Sequence, residues 1–293
     1  MKKKSILFIL LCISLNIYCQ KEKSIKVRFL KIEDYRKKYP HKKIDLSKQV
    51  FHIYKKDTLI KDDDKRYINA KSVAYEPKDS LFLETYKDIV YQKYQVSSEK
   101  NQHMKLWKEP LKIYFAPSLD QFYKNKIENA ANNLSRNIDS LNINFVKNIK
   151  DSNFIIYQID DKNSTEYSKE LENSKYVDYY IFWKRNKIYD AKLKLDITNF
   201  KNVSREINAN YLLINFYKTL GRFYNTSKVP CESVFSTCRS NNKKLTAFDL
   251  EIIKYQYSYG ICKFTNLKDF EENHTKAKKR LSKGEKMIFL HLE

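Results

Sequence analysis

The side chains that could bind a metal are few in this chain, and their spacing does not group them. The five histidines are His41, His52, His103, His274 and His291. No two of them lie three or four residues apart, the spacing that places two imidazoles on one face of a helix as metal ligands. We therefore expect no metal cofactor, and the sequence indicates no other cofactor.

Carboxylates offer a second route to catalysis, because a positioned carboxylate can act as a general base. The candidates in the second half of the chain are Asp178, Asp190, Asp196, Glu206 and Glu232. No spacing pairs them. They support only an alternative hypothesis, a hydrolase whose ligands are assembled from distant positions, and we assign no catalytic residue from the sequence.

One segment keeps the frame of a zinc-peptidase helix without its ligands. It reads Ile214-Asn215-Phe216-Tyr217-Lys218-Thr219-Leu220-Gly221-Arg222-Phe223-Tyr224. Downstream come Glu232-Ser233-Val234-Phe235-Ser236 and a segment that begins Leu245-Thr246-Ala247-Phe248-Asp249. In order and spacing these pieces resemble the metzincin zinc peptidases, whose motif H-E-x-x-H-x-x-G-x-x-H precedes a Met-turn. The resemblance covers roughly residues 105–265.

The resemblance implies the fold of a zinc peptidase and argues against its activity. Ile214 and Lys218 occupy the positions of the two helical ligands. Asn215 occupies the position of the general base, and Tyr224 that of the third ligand. Neither isoleucine nor a protonated lysine ligates Zn²⁺, and an asparagine cannot accept a proton as a base.

Two further positions complete the frame. Gly221 keeps the helix-ending position, and Phe235 stands where the Met-turn has its methionine. The alternative is an unrelated α+β domain, in which Gly221 is an ordinary helix C-cap. In that case Thr246 and Asp249 form only a capping box.

The N-terminus predicts export. Met1–Lys4 form a basic region, and the apolar run Ile6–Ile13 is too short to span a bilayer. We expect a secretory signal over residues 1–19, cleaved after Cys19. A lipoprotein lipidated at Cys19 is the alternative, although Tyr18 is not a lipobox residue. No later segment is apolar for long enough to cross a membrane, so we expect a periplasmic or extracellular protein.

The formal charge is +22, and removing residues 1–19 takes away three lysines and leaves +19. Such a charge attracts anionic surfaces such as lipid headgroups or glycans. However, lysine is dispersed along the whole chain, which is typical of a solvated basic surface. Export argues against nucleic acid as a partner, and the sequence does not identify another.

Three cysteines remain beyond Cys19: Cys231, Cys238 and Cys262. Disulfides form in exported proteins, and a bond between Cys231 and Cys238 would brace the turn that carries Phe235. Cys262 is a competing partner, and the odd number leaves one thiol free. Reduced cysteines and a three-cysteine metal site are the alternatives, although the spacing is not C-x₂₋₄-C.

The hydrophobic pattern predicts an α+β fold. Over residues 105–293 we expect a metzincin-like twisted mixed sheet with packed helices. Over residues 20–104 we expect a β-rich, mostly extended N-terminal extension. Strands are predicted at 25–29, 50–54, 111–115, 143–146, 154–159, 177–183, 188–197 and 286–292, and helices from 118, at 204–223 and at 267–281.

The preferred function is an exported, non-catalytic binding or structural protein on an inactive zinc-peptidase-like scaffold. Its cleft would hold an extended peptide or protein segment by strand addition at the sheet edge. The alternatives are an envelope-associated hydrolase with atypical ligands and a basic protein that binds anionic surfaces.

Overall fold

The computed structural model describes residues 29–45, 47, 51–54, 57–62, 71–93, 102–284 and 288–291. The predicted signal segment and Cys19 lie outside these residues. The chain divides into two compact units between Lys71 and Ser72. Within the described residues, no helix has both the length and the apolar character needed to cross a membrane.

The smaller unit is built on three antiparallel strands in the order β1-β3-β2. Its elements are β1 (Phe29–Lys31), α1 (Ile32–Lys38), β2 (Phe51–Tyr54) and β3 (Asp57–Lys61). Leu30, Tyr35 and Ile60 form its buried core. The buried Asp62 carboxylate accepts hydrogen bonds from Lys38 Nζ at 2.8 Å and Tyr39 Oη at 2.7 Å. The apolar cluster and the buried Asp62 carboxylate with its two donors thus stabilise this short segment.

The larger unit begins earlier than the sequence predicts. Residues 80–91 were expected in a mostly extended region that ended at residue 104, but Ser80–Tyr91 form a helix, α2. The Asp79 carboxylate caps it by accepting a hydrogen bond from the Phe82 N–H at 2.8 Å. Phe82, Tyr86 and Ile89 are buried in the main core. The prediction of an extended segment is wrong here, because burial of aromatic residues overrides their intrinsic preference for strands.

A mostly parallel sheet forms the centre of the larger unit. Its strands are β5 (Leu106–Trp107), β6 (Leu111–Phe115), β7 (Ile143–Phe145), β8 (Phe154–Ile159), β9 (Val177–Lys184) and β10 (Lys187–Asp196). The order is β5-β10-β8-β6-β7, with every neighbour parallel, and β9 pairs antiparallel with β10. Arg185 and Asn186 both have positive φ in the β9–β10 turn, as a two-residue hairpin requires.

The remaining helices are α3 (Gln121–Asn137), α4 (Arg205–Thr219), α5 (Ala247–Tyr257) and α6 (Leu267–Leu281). A two-stranded pair joins β4 (Lys71–Ala74) to β11 (Ile288–His291). From β6 to α4 the predicted order of strand, helix, four strands and helix is observed. The larger unit is therefore a mixed α/β fold with a mostly parallel sheet, compatible with the α+β prediction.

The start of α3 corrects one detail. The helix predicted from residue 118 starts later, and Asp120 caps it by accepting from the Phe122 N–H at 2.8 Å. Ser118 Oγ accepts from the Gln158 N–H at 3.3 Å. A turn over residues 116–119 separates β6 from the helix, so the cap comes two residues later than expected.

Asp249 ties the turn at 233–235 to α5. Its fully buried carboxylate accepts from Ser233 Oγ at 2.5 Å and from the N–H groups of Val234 and Thr246 at 3.1 and 3.0 Å. The Thr246 hydroxyl accepts in return from the Asp249 N–H at 3.1 Å. The capping box is thus present, and the same carboxylate also holds a loop distant from the helix start.

We predict that Asp249→Ala lowers the free energy of unfolding by about 3–5 kcal/mol, because it leaves two buried N–H groups and a hydroxyl without their acceptor. The measurement is urea denaturation. Glu251→Ala is the control, because Glu251 lies on the same helix but is exposed and pairs only with Lys78; its change should stay below about 1 kcal/mol. Equal losses in both variants would contradict a special role for Asp249.

His274 on α6 is buried between two tyrosine hydroxyls. Its Nδ1 lies 2.6 Å from Tyr75 Oη, and its Nε2 lies 3.2 Å from Tyr255 Oη. A neutral ring donates through one nitrogen and accepts through the other, so it serves both hydroxyls. Burial, together with smaller effects of the nearby Lys278 and Lys87, lowers the pKa of His274 to about 4.

A depressed histidine pKa makes stability depend on pH between the unfolded and folded values. The neutral ring's contribution is complete above about pH 6.5 and is lost as the pH falls towards about 4, with a total of about 2–3 kcal/mol. We predict that unfolding free energies of the natural chain and of His274→Gln converge across this window, since glutamine also donates and accepts but does not titrate. A constant difference from pH 7 to pH 4 would contradict the assignment.

Candidate functional site

The C-terminal end of α4 is held by donors from two other elements. Trp107 Nε1 on β5 donates to the Thr219 carbonyl at 3.0 Å. Tyr257 Oη on α5 donates to the Leu220 carbonyl at 2.6 Å. The last carbonyls of a helix have no partner within the helix, so these two bonds satisfy them and fix where the helix stops.

Gly221 is required by close packing. A Cβ at this position would lie 2.7 Å from Phe223 Cζ and 3.0 Å from Gln256 Nε2. The helix C-cap is Leu220, and the positive φ that glycine usually supplies at a helix end belongs to Arg222, at 51°. The chain therefore turns at Arg222, and the Phe223 ring folds back over Gly221.

The structure places the predicted ligand positions in three different environments. Ile214 is buried in the main core. The Asn215 side-chain amide donates back to the Tyr211 carbonyl at 2.9 Å, within its own helix. Tyr224 is half-buried, and its N–H donates to the Ile89 carbonyl of α2 at 2.9 Å. None of these three side chains is a usual zinc ligand, and the Asn215 amide, at the predicted base position, cannot accept a proton.

Lys218, one turn after Ile214, is a cation held out of water. Burial, together with a smaller effect of the neighbouring Lys243, lowers the pKa of Lys218 to about 8, and Asp178 on β9 opposes the shift. In the part of the chain that the structure describes, its ammonium group makes no hydrogen bond or ion pair. The lysine therefore lies between α4 and the start of β9 without a neutralising contact.

The edge strand β9 forms the wall opposite this end of α4. Tyr179, Ile181 and Trp183 alternate along it and so share one face. Burial raises the pKa of Tyr179, with a further increase from Tyr224 and an opposing effect from Arg222. The two tyrosines and Arg222 therefore lie near one another, beside the predicted ligand positions.

Phe235 packs against Phe223, whose ring lies over Gly221. It is fully buried, and its ring centroid lies 5.1 Å from that of Phe223. The turn around it is closed by a disulfide between Cys231 and Cys238, whose Cα atoms are 5.1 Å apart. Cys262 is a free, half-buried thiol. The turn is thus held by a covalent bond at its ends and by Asp249 at its centre.

The five candidate carboxylates do not form one site. Lys192 pairs with Asp190 at 2.6 Å, Lys126 with Glu206 at 3.0 Å, and Lys244 with Glu232 at 3.1 Å. The other two accept from nearby backbone N–H groups: Asp178 from Tyr179 and Asp196 from Thr198. Among the described residues, no three histidine, cysteine or acidic side chains come together as a metal site would require.

No protein-family model matches the chain, and no curated protein matches it at a significant level. The geometry therefore carries the functional argument. It adds residues that the sequence did not single out, namely Lys105, Tyr179, Trp183, Arg222 and Lys243. The one local signal was Arg222, which follows the helix-ending glycine directly; Lys105 and Trp183 are too distant in sequence to be grouped with it.

We predict that Lys218→Met raises the free energy of unfolding by about 1–2 kcal/mol at pH 7, because it removes a partly buried, unpaired cation. A lysine with a folded pKa of about 8 and an ordinary pKa of 10.5 destabilises the fold below pH 8, and the penalty fades as the pH rises to 10.5. The gain should therefore shrink by pH 10 in chemical denaturation.

Lys254→Met is the matched control, because Lys254 is an exposed lysine on a neighbouring helix. Its stability should change by less than about 0.5 kcal/mol at either pH. A loss of stability in Lys218→Met would show that the ammonium group has a compensating partner.

Proposed function

We propose that the protein is an exported, non-catalytic binding protein on a zinc-peptidase-like scaffold of the metzincin type. One observation carries the proposal. The helix end, the glycine contact and the turn of such a site are all elaborately held, while the positions for ligands and base carry side chains unable to do the chemistry. A scaffold kept without its reactive groups is suited to holding a ligand.

Two structural features support binding at this place. The first is the energetic cost of Lys218, a partly buried cation that pairs with no carboxylate among the described residues and whose lowered pKa Asp178 opposes only in part. Residues that reduce stability are typical of functional sites. The second is β9, whose strand partner in the described part of the chain is β10 alone. Its other edge offers backbone donors and acceptors for an added strand.

The ligand that this edge suits best is an extended peptide or protein segment. Strand addition supplies main-chain hydrogen bonds, and alternate side chains enter the neighbouring pockets. Tyr179 and Trp183 lie on one face of β9, and Tyr180 and Phe182 lie on the other. Trp183 and Tyr180 are each 38% exposed, which leaves aromatic surface on both faces for contact with a bound segment.

The hydrolase alternative gains no support, because the five candidate carboxylates do not form one site and each already has a hydrogen-bond or ion-pair partner. The scaffold proposal can be tested by restoring the ligands. We predict that a variant with Ile214→His, Asn215→Glu, Lys218→His and Tyr224→His binds one zinc per chain, whereas the natural protein after dialysis binds none. The measurement is metal content, followed by zinc titration.

The control keeps Tyr224 and places the third histidine at the exposed Ser227. If position 224 faces the helical pair, the first variant should bind zinc about tenfold more tightly or better, since structural zinc needs convergent ligands. Equal affinities in two folded variants would refute the metzincin-like frame. Stoichiometric zinc with peptide cleavage in the natural protein would refute a non-catalytic role.

A further inference from the structure

We propose that Lys105 and Arg222, which both contact the Trp183 ring, form a binding site for an oxyanion, a carboxylate or phosphate group. We call these three residues the cation pair and its tryptophan. The inference concerns a site that the peptidase resemblance does not supply, and it holds whether or not that resemblance is correct.

The geometry brings two cations together around one ring. Lys105 Nζ lies 5.1 Å from the Trp183 ring centroid, and Arg222 Cζ lies 4.5 Å from it. The Arg222 guanidinium is also 5.7 Å from the Tyr224 ring. Burial, together with a smaller effect of the Arg222 charge, lowers the pKa of Lys105 to about 8. The two cations are thus close enough to repel each other.

Lys105 differs from the other deeply buried lysines of the larger unit. Lys194 is 1% exposed and pairs with Glu166 at 3.3 Å, and Lys87 is 8% exposed and pairs with Glu271 at 2.9 Å. Lys105 is 4% exposed, and its ammonium group donates to the His103 carbonyl at 3.3 Å. Within the described residues, no carboxylate pairs with Lys105 or with Arg222.

The ring contacts do not account for two cations in this position. A cation–π contact at such distances is worth roughly 0.5–2 kcal/mol. Removing an ammonium group from water without a counter-charge costs several kcal/mol, and the second cation adds repulsion. A bound anion would offset both the desolvation cost and the repulsion. The arrangement therefore favours the binding of an anion.

The donor set indicates which anion fits. A guanidinium offers two parallel N–H groups that match the two oxygens of a carboxylate or phosphate. The ammonium group of Lys105, against the same ring, adds further donors. The Arg222 guanidinium also lies near the Tyr224 ring, beside β9. The carboxylate of a peptide bound along β9 and free phosphate are therefore two sources of the same anionic group.

The test is calorimetric titration of the purified protein at constant ionic strength, with chloride as the reference anion. The probes are inorganic phosphate and two copies of one short peptide, one ending in a free carboxylate and the other in an amide. We expect saturable binding of phosphate, of the carboxylate peptide or of both. Phosphate alone indicates a free anion, and a preference for the carboxylate over the amide peptide indicates a peptide ligand.

Lys105→Met and Arg222→Met should each weaken binding about tenfold or more, as expected for a charge-assisted contact. Lys126→Met is the matched control. Lys126 Nζ also lies 5.1 Å from an aromatic ring, that of Phe122, but it is exposed and pairs with Glu206. Its removal should change the affinity less than about twofold, since it alters only net charge.

Urea denaturation of the same variants separates lost binding from lost folding. Loss of an unpaired buried cation should leave the denaturation midpoint of Lys105→Met equal to or above that of the natural chain. The absence of saturable binding by either anion would overturn the proposal. An unchanged affinity in both folded methionine variants would overturn it as well. Neither outcome would bear on zinc binding at positions 214–224, so the two proposals can fail separately.

Discussion

Two hydrogen bonds at the end of α4 determine the local structure on which everything nearby depends. Trp107 and Tyr257 bind the last carbonyls of the helix, and both donors come from elements distant in sequence. Once the helix stops there, Gly221 must accept the Phe223 ring at a distance that excludes a Cβ. Arg222 then adopts the left-handed conformation, and the Tyr224 N–H donates to a carbonyl of α2. Contacts with the core thus determine where α4 ends, and the position of that end determines where the side chains of residues 221–224 lie.

The region around the end of α4 combines apolar packing with buried positive charge, and the two have opposite effects on stability. Apolar packing by Ile214, Phe223 and Phe235 makes the region a continuation of the core. Lys105, Lys218 and Arg222 oppose that packing, because each brings charge into a region with little water. Folding alone does not favour these cations. Together with the open edge of β9, they are the reason for attributing binding to this face of the molecule.

Part of this fold could be predicted from the sequence, and the limit has a physical cause. Alternating and helical periodicities report which local faces are buried, so β8, β10, α4 and α6 emerge close to their observed bounds. Helix α2 was missed because its tyrosines resemble those of strands until they are packed against α5 and α6. The cation pair was missed because Lys105 and Arg222 meet only in the folded chain. The sequence could group the predicted ligand positions because they follow one helix and its glycine.

The burial of α2 in the main core has a consequence for the boundaries of the molecule. A fragment that began at residue 105 would expose the surfaces on α5 and α6 that now contact Phe82 and Tyr86. It would also leave the Tyr224 N–H without the Ile89 carbonyl to which it now donates. The smallest autonomous piece of the larger unit therefore starts ahead of α2. For expression, crystallisation or fusion to a reporter, the chain should be cut after Lys71.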